Sequence, residues 1–195
     1  VDNFGPSVYW CSDIRTVCGN DVPDVDLATA SFPCTDLSIA GNRAGLDGKE
    51  SGMLKEFLRI LRQMKSRRPV NVMLENVPGF VTSSKGSDLE WAIASLNDLG
   101  YACDLLIIDA RWFLPQSRPR LFLIGVSGEV PSVTVPEISK VRPSQLIRFI
   151  EGHWNLFWQF SALPEPPATE SVLSDYVETL LPTDDRSVSY THLTL

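Results

Sequence analysis

The chain has 195 residues, of which 44% are hydrophobic and 21% are charged, a composition typical of one globular domain with a substantial core. No stretch is as long and apolar as a membrane-spanning helix requires. The net charge of −7 argues against nucleic-acid binding through overall charge, because phosphates attract local clusters of lysine and arginine. The first nine residues lack the pattern of a secretory signal, so we expect a cytosolic protein.

The four cysteines are Cys11, Cys18, Cys34 and Cys103, and none belongs to a CxxC pair. This spacing argues against a zinc site, and a domain of this size without a secretory context argues against a disulfide framework. We therefore expect no bound metal and individual thiols.

In chain order, apolar runs predict four buried strands and two longer helices. The strands are predicted at 26–32, 70–74, 105–108 and 121–126, and the helices at 52–68 and 87–99. Strands that alternate with helical crossovers indicate an α/β fold with a doubly wound parallel sheet. Ligands of such sheets bind beyond the carboxyl ends of the strands.

The chain after Gly128 is rich in proline and predicts a less regular second region, 129–186. Short helices are expected at 147–150 and 154–160, and we expect Trp154 and Trp158 to lie in the core. The last segment, 187–195, fits no element, and we interpret it as a non-native tail.

Basic residues form two groups in the sequence. The first, within 59–68, is predicted to be the solvated face of a helix with a basic carboxyl end, which suits the helix dipole. The second consists of Arg111, Arg118 and Arg120. If 116–120 is extended, alternation places Gln116, Arg118 and Arg120 on one face, which could bind carbonyl oxygens and phosphates or could be an arginine-rich edge strand.

Two further residues follow predicted strands. Cys34 follows Pro33 and is predicted to lie in a turn, where its thiol would be exposed to a ligand. A cysteine after a proline is equally typical of a buried thiol. Glu75 directly follows three apolar residues and is either a capping or ion-paired carboxylate or an active-site acid.

Taken in order, these segments resemble the PC, ENV and QxRxR motifs of the cytosine-5 DNA methyltransferases. The matching segments are Pro33-Cys34 with Ser38, then Glu75-Asn76-Val77, then Gln116-x-Arg118-x-Arg120. The resemblance covers roughly 13–128. It implies a Rossmann-like methyltransferase sheet, here expected to be incomplete at both ends, with 1–128 as a partial catalytic domain and 129–186 as the start of a recognition region.

The resemblance also implies roles for single residues. Cys34 would be the nucleophile that adds to carbon 6 of cytosine, and Glu75 would bind the N3 and amine edge of the base. Arg120 would bind O2, while Arg118 would hold the backbone near the site. Supporting positions around the substrate are Ser38, Asn76 and Gln116.

The implied cofactor is S-adenosylmethionine, with Asp13, Ile14 and Pro33 at its site. The implied partner is double-stranded DNA with a flipped cytosine, and flipping costs a few kcal/mol. We expect a monomer with no membrane contact, in the cytoplasm of a prokaryotic or phage-infected cell, serving DNA methylation or restriction–modification.

One departure from the family pattern is visible near the start of the chain. The family has a Phe-x-Gly-x-Gly loop that shapes the cofactor pocket, whereas this chain has Phe4-Gly5-Pro6 without the second glycine. We therefore expect the chain alone to bind S-adenosylmethionine poorly, to turn over little and to be marginally stable.

Three alternatives stay open at this point. The chain could be an inactive fragment or non-catalytic binding module of the same fold, although no structural need explains the presence of Cys34, Glu75 and Arg120 together. It could methylate tRNA, since a tRNA-methylating branch shares the catalytic trio. A cysteine hydrolase would need a histidine base, and the two histidines, His153 and His192, lie in the irregular region and the tail.

Overall fold

The computed structural model describes residues 10–32, 52–128 and 134–167, together with Val172. Four strands and three helices form its framework. The strands are β1 (Leu27–Ser31), β2 (Asn71–Asn76), β3 (Tyr101–Asp109) and β4 (Pro119–Ser127), and the helices are α1 (Met53–Met64), α2 (Ser87–Asn97) and α3 (Ser144–Gly152). Short 3-10 segments lie at Ile14–Thr16, Lys65–Arg67, Pro78–Gly86 and Ala110–Trp112.

The four strands form one sheet in the order β1-β2-β4-β3. β1 and β2 are parallel, whereas β4 is antiparallel to both of its neighbours. The α/β sheet is confirmed, but the expectation that all strands are parallel is wrong for β4. Only a short loop, 110–118, joins β3 to β4, and a connection without a long crossover leaves consecutive strands antiparallel.

The core lies between the sheet and its helices. Helix α1 turns Leu54, Leu58 and Leu61 inward, and α2 contributes Leu89, Ile93 and Leu96. This is the spacing of a helix that buries one face. Helix α1 ends at Met64 rather than at 68, because Lys65 has φ +55° and so leaves the right-handed helical region before a 3-10 turn.

Strand β3 begins at Tyr101, four residues before the predicted strand at 105–108. The prediction began after Asp104 because this residue is charged, but the structure buries it within the strand. Asp104 forms a buried ion pair with Arg142, at 2.6 Å between Oδ2 and Nη2, and accepts a hydrogen bond from the Ser161 amide at 2.9 Å. A buried charge is tolerated when it is paired and hydrogen-bonded in this way. The ion pair also fixes the described part of the second region, 134–167, to the sheet.

The segment predicted as a helix at 154–160 instead forms a turn at 154–156, and 157–159 then pairs with the edge of β3. The Cys103 amide donates to the Phe157 carbonyl at 2.9 Å, and the Gln159 amide donates to the Cys103 carbonyl at 2.9 Å. The helix prediction is therefore wrong there, whereas α3 confirms the one at 147–150. Trp158 is buried as expected, but Trp154 is 46% exposed.

The first basic group is only partly the solvated helix face that its pattern predicts. The Arg59 guanidinium donates to the carbonyls of Ile14 (3.0 Å) and Val17 (2.9 Å). Arg67 donates to the carbonyls of Gly19 (2.8 Å) and Val22 (3.1 Å). These arginines donate hydrogen bonds to a segment that makes few backbone hydrogen bonds of its own. They therefore hold 14–22 against α1 and the 3-10 segment that follows it.

Among the described residues, no helix is long and apolar enough to cross a membrane. Within the same ranges, no group of three or more His, Cys, Asp or Glu side chains is placed to hold a metal ion.

The backbone of Gly125 in β4 lies close to side chains of both neighbouring strands. A Cβ atom there would lie 2.7 Å from Val72 Cγ2 and 3.1 Å from Tyr101 Cβ. We predict that Gly125→Ala lowers the free energy of unfolding by about 1–3 kcal/mol, the usual cost of overpacking. Urea unfolding followed by circular dichroism measures it. Gly152→Ala is the control, because nothing lies within 4 Å of that position; equal losses in both variants would contradict the packing argument.

Candidate active site

The end of β2 and the start of β4 meet at one edge of the sheet. Because β4 runs against β2, its first residues lie beside the last residues of β2, with Asn76 opposite Leu121 and Glu75 opposite Phe122. Side chains two residues apart on a strand share a face, so Arg120 lies on the same face as Phe122 and Glu75. The antiparallel direction of β4 therefore brings the predicted acid and arginine together.

Glu75 and Arg120 form an ion pair, with 2.7 Å between Oε1 and Nε. Their side chains are 25% and 23% exposed, respectively, so the pair is partly shielded but open to a ligand. Ser31, the last residue of β1, lies opposite Glu75 in the register, and its hydroxyl donates to Glu75 Oε2 at 2.6 Å. Donors from two neighbouring strands thus hold the two carboxylate oxygens.

Asn76 shapes the turn that follows Glu75. Its side chain is buried, and its Nδ2 donates to the Phe32 carbonyl at 3.3 Å. Its Oδ1 accepts from the Val77 amide at 2.8 Å. The amide therefore joins the ends of β1 and β2, and the predicted role of Asn76 beside the substrate stays a prediction.

A cavity of about 260 Å³ opens at this edge of the sheet. The residues that line it include four of those described above, Ser31, Glu75, Asn76 and Arg120, and also Arg118. Phe32 and Val77 are the other described residues that line it. The described part of the chain thus supplies one carboxylate, two guanidinium groups, a hydroxyl and an amide.

The predicted alternation of Gln116, Arg118 and Arg120 holds only in part. Arg118 and Arg120 both line the cavity, but Gln116 does not. β4 begins at Pro119, and the Gln116 amide is in a tight turn with the Leu114 carbonyl at 2.8 Å. Period-two alternation requires extended backbone, and the chain at Gln116 is not part of the strand.

Asp109 fixes the loop that carries Arg118. It is buried at the end of β3 and accepts hydrogen bonds from the backbone amides of Arg118 (2.8 Å) and Arg111 (3.1 Å). The Arg111 guanidinium lies 2.7 Å from its other oxygen. Burial raises the pKa of the Asp109 carboxyl, but these hydrogen bonds and the Arg111 charge outweigh it and lower the pKa below its usual value.

The sequence model of a family described as C-5 cytosine-specific DNA methylase matches residues 2–193. The chain belongs to this family. The match extends beyond the 13–128 covered by the motifs and includes much of the segment 187–195. The non-native origin of that segment and the division of the chain into regions stay predictions.

Relatives within the methylase family come from bacteria and from a phage. The chain is 31% identical to the type II methyltransferase M2.BsuMI of Bacillus subtilis over 91% of its length and 52% of the relative's. It is 37% identical to M.BanI of Aneurinibacillus aneurinilyticus over 58% of this chain and 26% of that one. An orphan methyltransferase of Bacillus phage SPR is 29% identical over 66% and 27%, respectively. The chain thus spans about half or less of these relatives.

Two solved methyltransferase structures are similar at low levels. One is Schizosaccharomyces pombe Dnmt2 methyltransferase, with a TM-score of 0.48 and 24% identity over 63% of this chain and 37% of that one. The other is Entamoeba histolytica EhMeth, with a TM-score of 0.49 and 16% identity over 68% and 41%.

The residues that the family resemblance assigns to the cofactor are only partly described. Asp13 caps the 3-10 segment Ile14–Thr16, and hydrogen bonds from the Arg15 side chain and amide lower the pKa of its carboxyl to about 2. Ile14 packs against the core. Neither residue lines the Glu75 cavity. Pro33, Cys34 and Ser38 lie outside the described residues.

Sequence reasoning missed Ser31 and Asp109. A signal for Asp109 was present, because it follows the apolar run 105–108 just as Glu75 follows the apolar run 72–74. Ser31 carried no such signal, since a serine at the end of a strand is common. Only the register of β1 against β2 shows that its hydroxyl faces Glu75.

Asp109 should make stability depend on pH. Its folded-state pKa is lowered, so its contribution is complete above the unfolded-state value of about 3.9 and is lost as pH falls through the folded-state value. We predict that Asp109→Asn lowers Tm at pH 7 and that the gap from wild type narrows below about pH 4. Differential scanning calorimetry across pH measures it.

Asp21→Asn is the matched control, because Asp21 is exposed and its carboxylate has no hydrogen bond or ion pair within the described ranges. Its Tm should follow the wild-type profile throughout. An Asp109→Asn gap that stays constant from pH 7 to pH 3 would contradict the role given to the ionised carboxylate.

Proposed function

We propose that this chain carries the base-handling centre of a DNA cytosine-5 methyltransferase. The reaction transfers a methyl group from S-adenosylmethionine to carbon 5 of a flipped cytosine in double-stranded DNA. We place it in the cytoplasm of a prokaryotic or phage-infected cell, acting as a monomer in restriction–modification or as an orphan methylase. The names of the bacterial and phage relatives support that setting.

The observation that carries the proposal is the Glu75–Arg120 pair in its small cavity. The pairing edge of cytosine presents the acceptor O2, the ring nitrogen N3 and an amine donor. The guanidinium can donate to O2, while the carboxylate can accept from the amine and exchange a proton with N3. The cavity is smaller than the roughly 300 Å³ at which pockets for drug-sized ligands begin, which suits a single ring.

Cys34 is the proposed nucleophile. It follows the cavity-lining Phe32 by two residues, and two peptide units span at most about 7 Å. Its thiolate would bond to carbon 6 while Glu75 supplies a proton to N3, which makes carbon 5 nucleophilic. Once carbon 5 carries the methyl group, loss of its proton and departure of the thiolate restore the aromatic ring and free Cys34, and N3 returns its proton to Glu75.

S-adenosylmethionine supplies the methyl group in this scheme. By the family resemblance Asp13 would contact its adenine amine, and this contact would replace one of the hydrogen bonds that the carboxylate accepts from Arg15. Ile14 and Pro33 would provide apolar surface beside it. Arg118 is exposed and has no side-chain partner among the described residues, so it is available to a DNA phosphate at the mouth of the cavity.

Covalent trapping tests the nucleophile. We predict that the chain, mixed with duplex DNA containing 5-fluorocytosine and with a large excess of S-adenosylmethionine to offset the expected weak binding, gives an adduct that survives denaturation, because the fluorine cannot leave as a proton does. Denaturing electrophoresis measures it. Cys34→Ser should abolish the adduct. Cys11→Ser is the control and should retain it, because Cys11 is an exposed thiol without a proposed role in the reaction.

An adduct that persists in Cys34→Ser would contradict the assignment of the nucleophile. An adduct with tRNA and none with DNA would redirect the substrate to RNA. Absence of any adduct with the wild-type chain would contradict the proposed activity of this chain.

Glu75 is tested by an isosteric change. We predict that Glu75→Gln lowers the rate of methyl transfer by about 100-fold or more, the usual contribution of a positioned proton donor, while DNA affinity changes little. Transfer of labelled methyl groups and fluorescence anisotropy measure the two quantities. Glu137→Gln is the control, because Glu137 is exposed and lines a different cavity. A Glu75→Gln rate equal to that of the control would remove Glu75 from the chemistry.

A further inference from the structure

The Glu75 carboxylate is held by two donors that differ in kind. Arg120 approaches Oε1 through Nε at 2.7 Å, and the Ser31 hydroxyl approaches Oε2 at 2.6 Å. Ser31 is the directly opposite residue in the parallel pairing of β1 with β2. The register of β1 against β2 therefore places the hydroxyl beside Glu75. Contacts on both oxygens fix the rotation of the carboxylate plane.

This arrangement leaves suitable acceptor positions for a base. An ionised carboxylate offers about four lone-pair positions, two on each oxygen. Among the described residues, Ser31 donates to Oε2 and Arg120 lies against Oε1, so a position stays open on each oxygen with respect to this part of the chain. Two acceptors on different oxygens match two adjacent donors, the amine and the protonated N3 of a cytosine edge.

A hydroxyl can also follow a change of protonation that a guanidinium cannot. Ser31 donates to Oε2 while Glu75 is ionised, and it can rotate to accept when that oxygen carries a proton. Arg120 has only donors and so favours the ionised state alone. Of the two contacts, the one from Ser31 can persist on both sides of a proton transfer.

We propose that Ser31 is a positioning residue that orients the Glu75 carboxyl toward the cytosine edge in both of its protonation states. This rests on the proposed function of Glu75. Ser31 is itself exposed, so loss of its hydroxyl leaves no buried polar group unpaired, and the contact serves the carboxylate more than the fold.

Kinetics of Ser31→Ala, Ser31→Thr and Thr29→Val test the proposal. Thr29 is an exposed residue of the same strand, on the same face, and its variant is the matched control for loss of a hydroxyl. We expect Ser31→Ala to lower kcat about 10-fold, the range for a hydrogen bond to a charged group, with KM for DNA unchanged. Ser31→Thr should recover most of kcat, and Thr29→Val should match wild type.

A second measurement needs no turnover. The carboxyl carbon-13 resonance of Glu75, assigned with Glu75→Gln, should move in Ser31→Ala, return toward wild type in Ser31→Thr and stay unchanged in Thr29→Val. An unmoved resonance, or an unchanged kcat in an active enzyme, would overturn the role of Ser31 while the proposed function stands. A wild-type chain without methyl transfer would instead overturn the proposed function, and with it the catalytic purpose of the contact, whatever the resonance shows.

Discussion

The ion pair between Glu75 and Arg120 depends on the direction of a single strand. Arg120 is the second residue of β4 and Glu75 the next-to-last residue of β2, so they become neighbours only because β4 enters the sheet antiparallel to β2. A parallel β4 would carry Arg120 to the opposite end of the sheet. The rest of the candidate site is arranged around this pair, with Ser31 on one side and the loop before β4 on the other.

Two buried carboxylates of β3 support that arrangement from the neighbouring strand. Asp109 binds backbone amides of the loop that leads to Arg118, which fixes where β4 begins. Asp104 pairs with Arg142 and receives the Ser161 amide, which holds the chain after β4 against the edge of β3. Each is a buried charge that is tolerated because it accepts several hydrogen bonds, and each stabilises a segment with little regular structure of its own.

Much of the framework could be predicted because it follows from local patterns. The apolar runs at β1, β2 and β4 and the helical spacing of α1 and α2 are properties of short windows, and the structure confirms these elements within a few residues at each end. Prediction was less successful where distant partners decide the conformation. Asp104 interrupts an apolar run in sequence yet belongs to a buried strand through Arg142, and the apolar segment 157–159 pairs with β3 instead of forming a helix.

The candidate site shows the same division. The ordered motifs identified Glu75, Asn76, Arg118 and Arg120, all of which line one cavity, because each motif is a local signature. Sequence reasoning could not find Ser31, whose contact with Glu75 depends on strand register, and it placed Gln116 on a strand that begins three residues later.

The most direct test of the central claim is the identity of the methylated nucleoside. Duplex DNA would be incubated with the chain and S-adenosylmethionine, digested to nucleosides and resolved by mass spectrometry against standards. A centre that pairs a carboxylate with a guanidinium around a flipped cytosine predicts 5-methyldeoxycytidine as the product. Methylation of an exocyclic amine of cytosine or adenine, or no methylated nucleoside at all, would contradict the account.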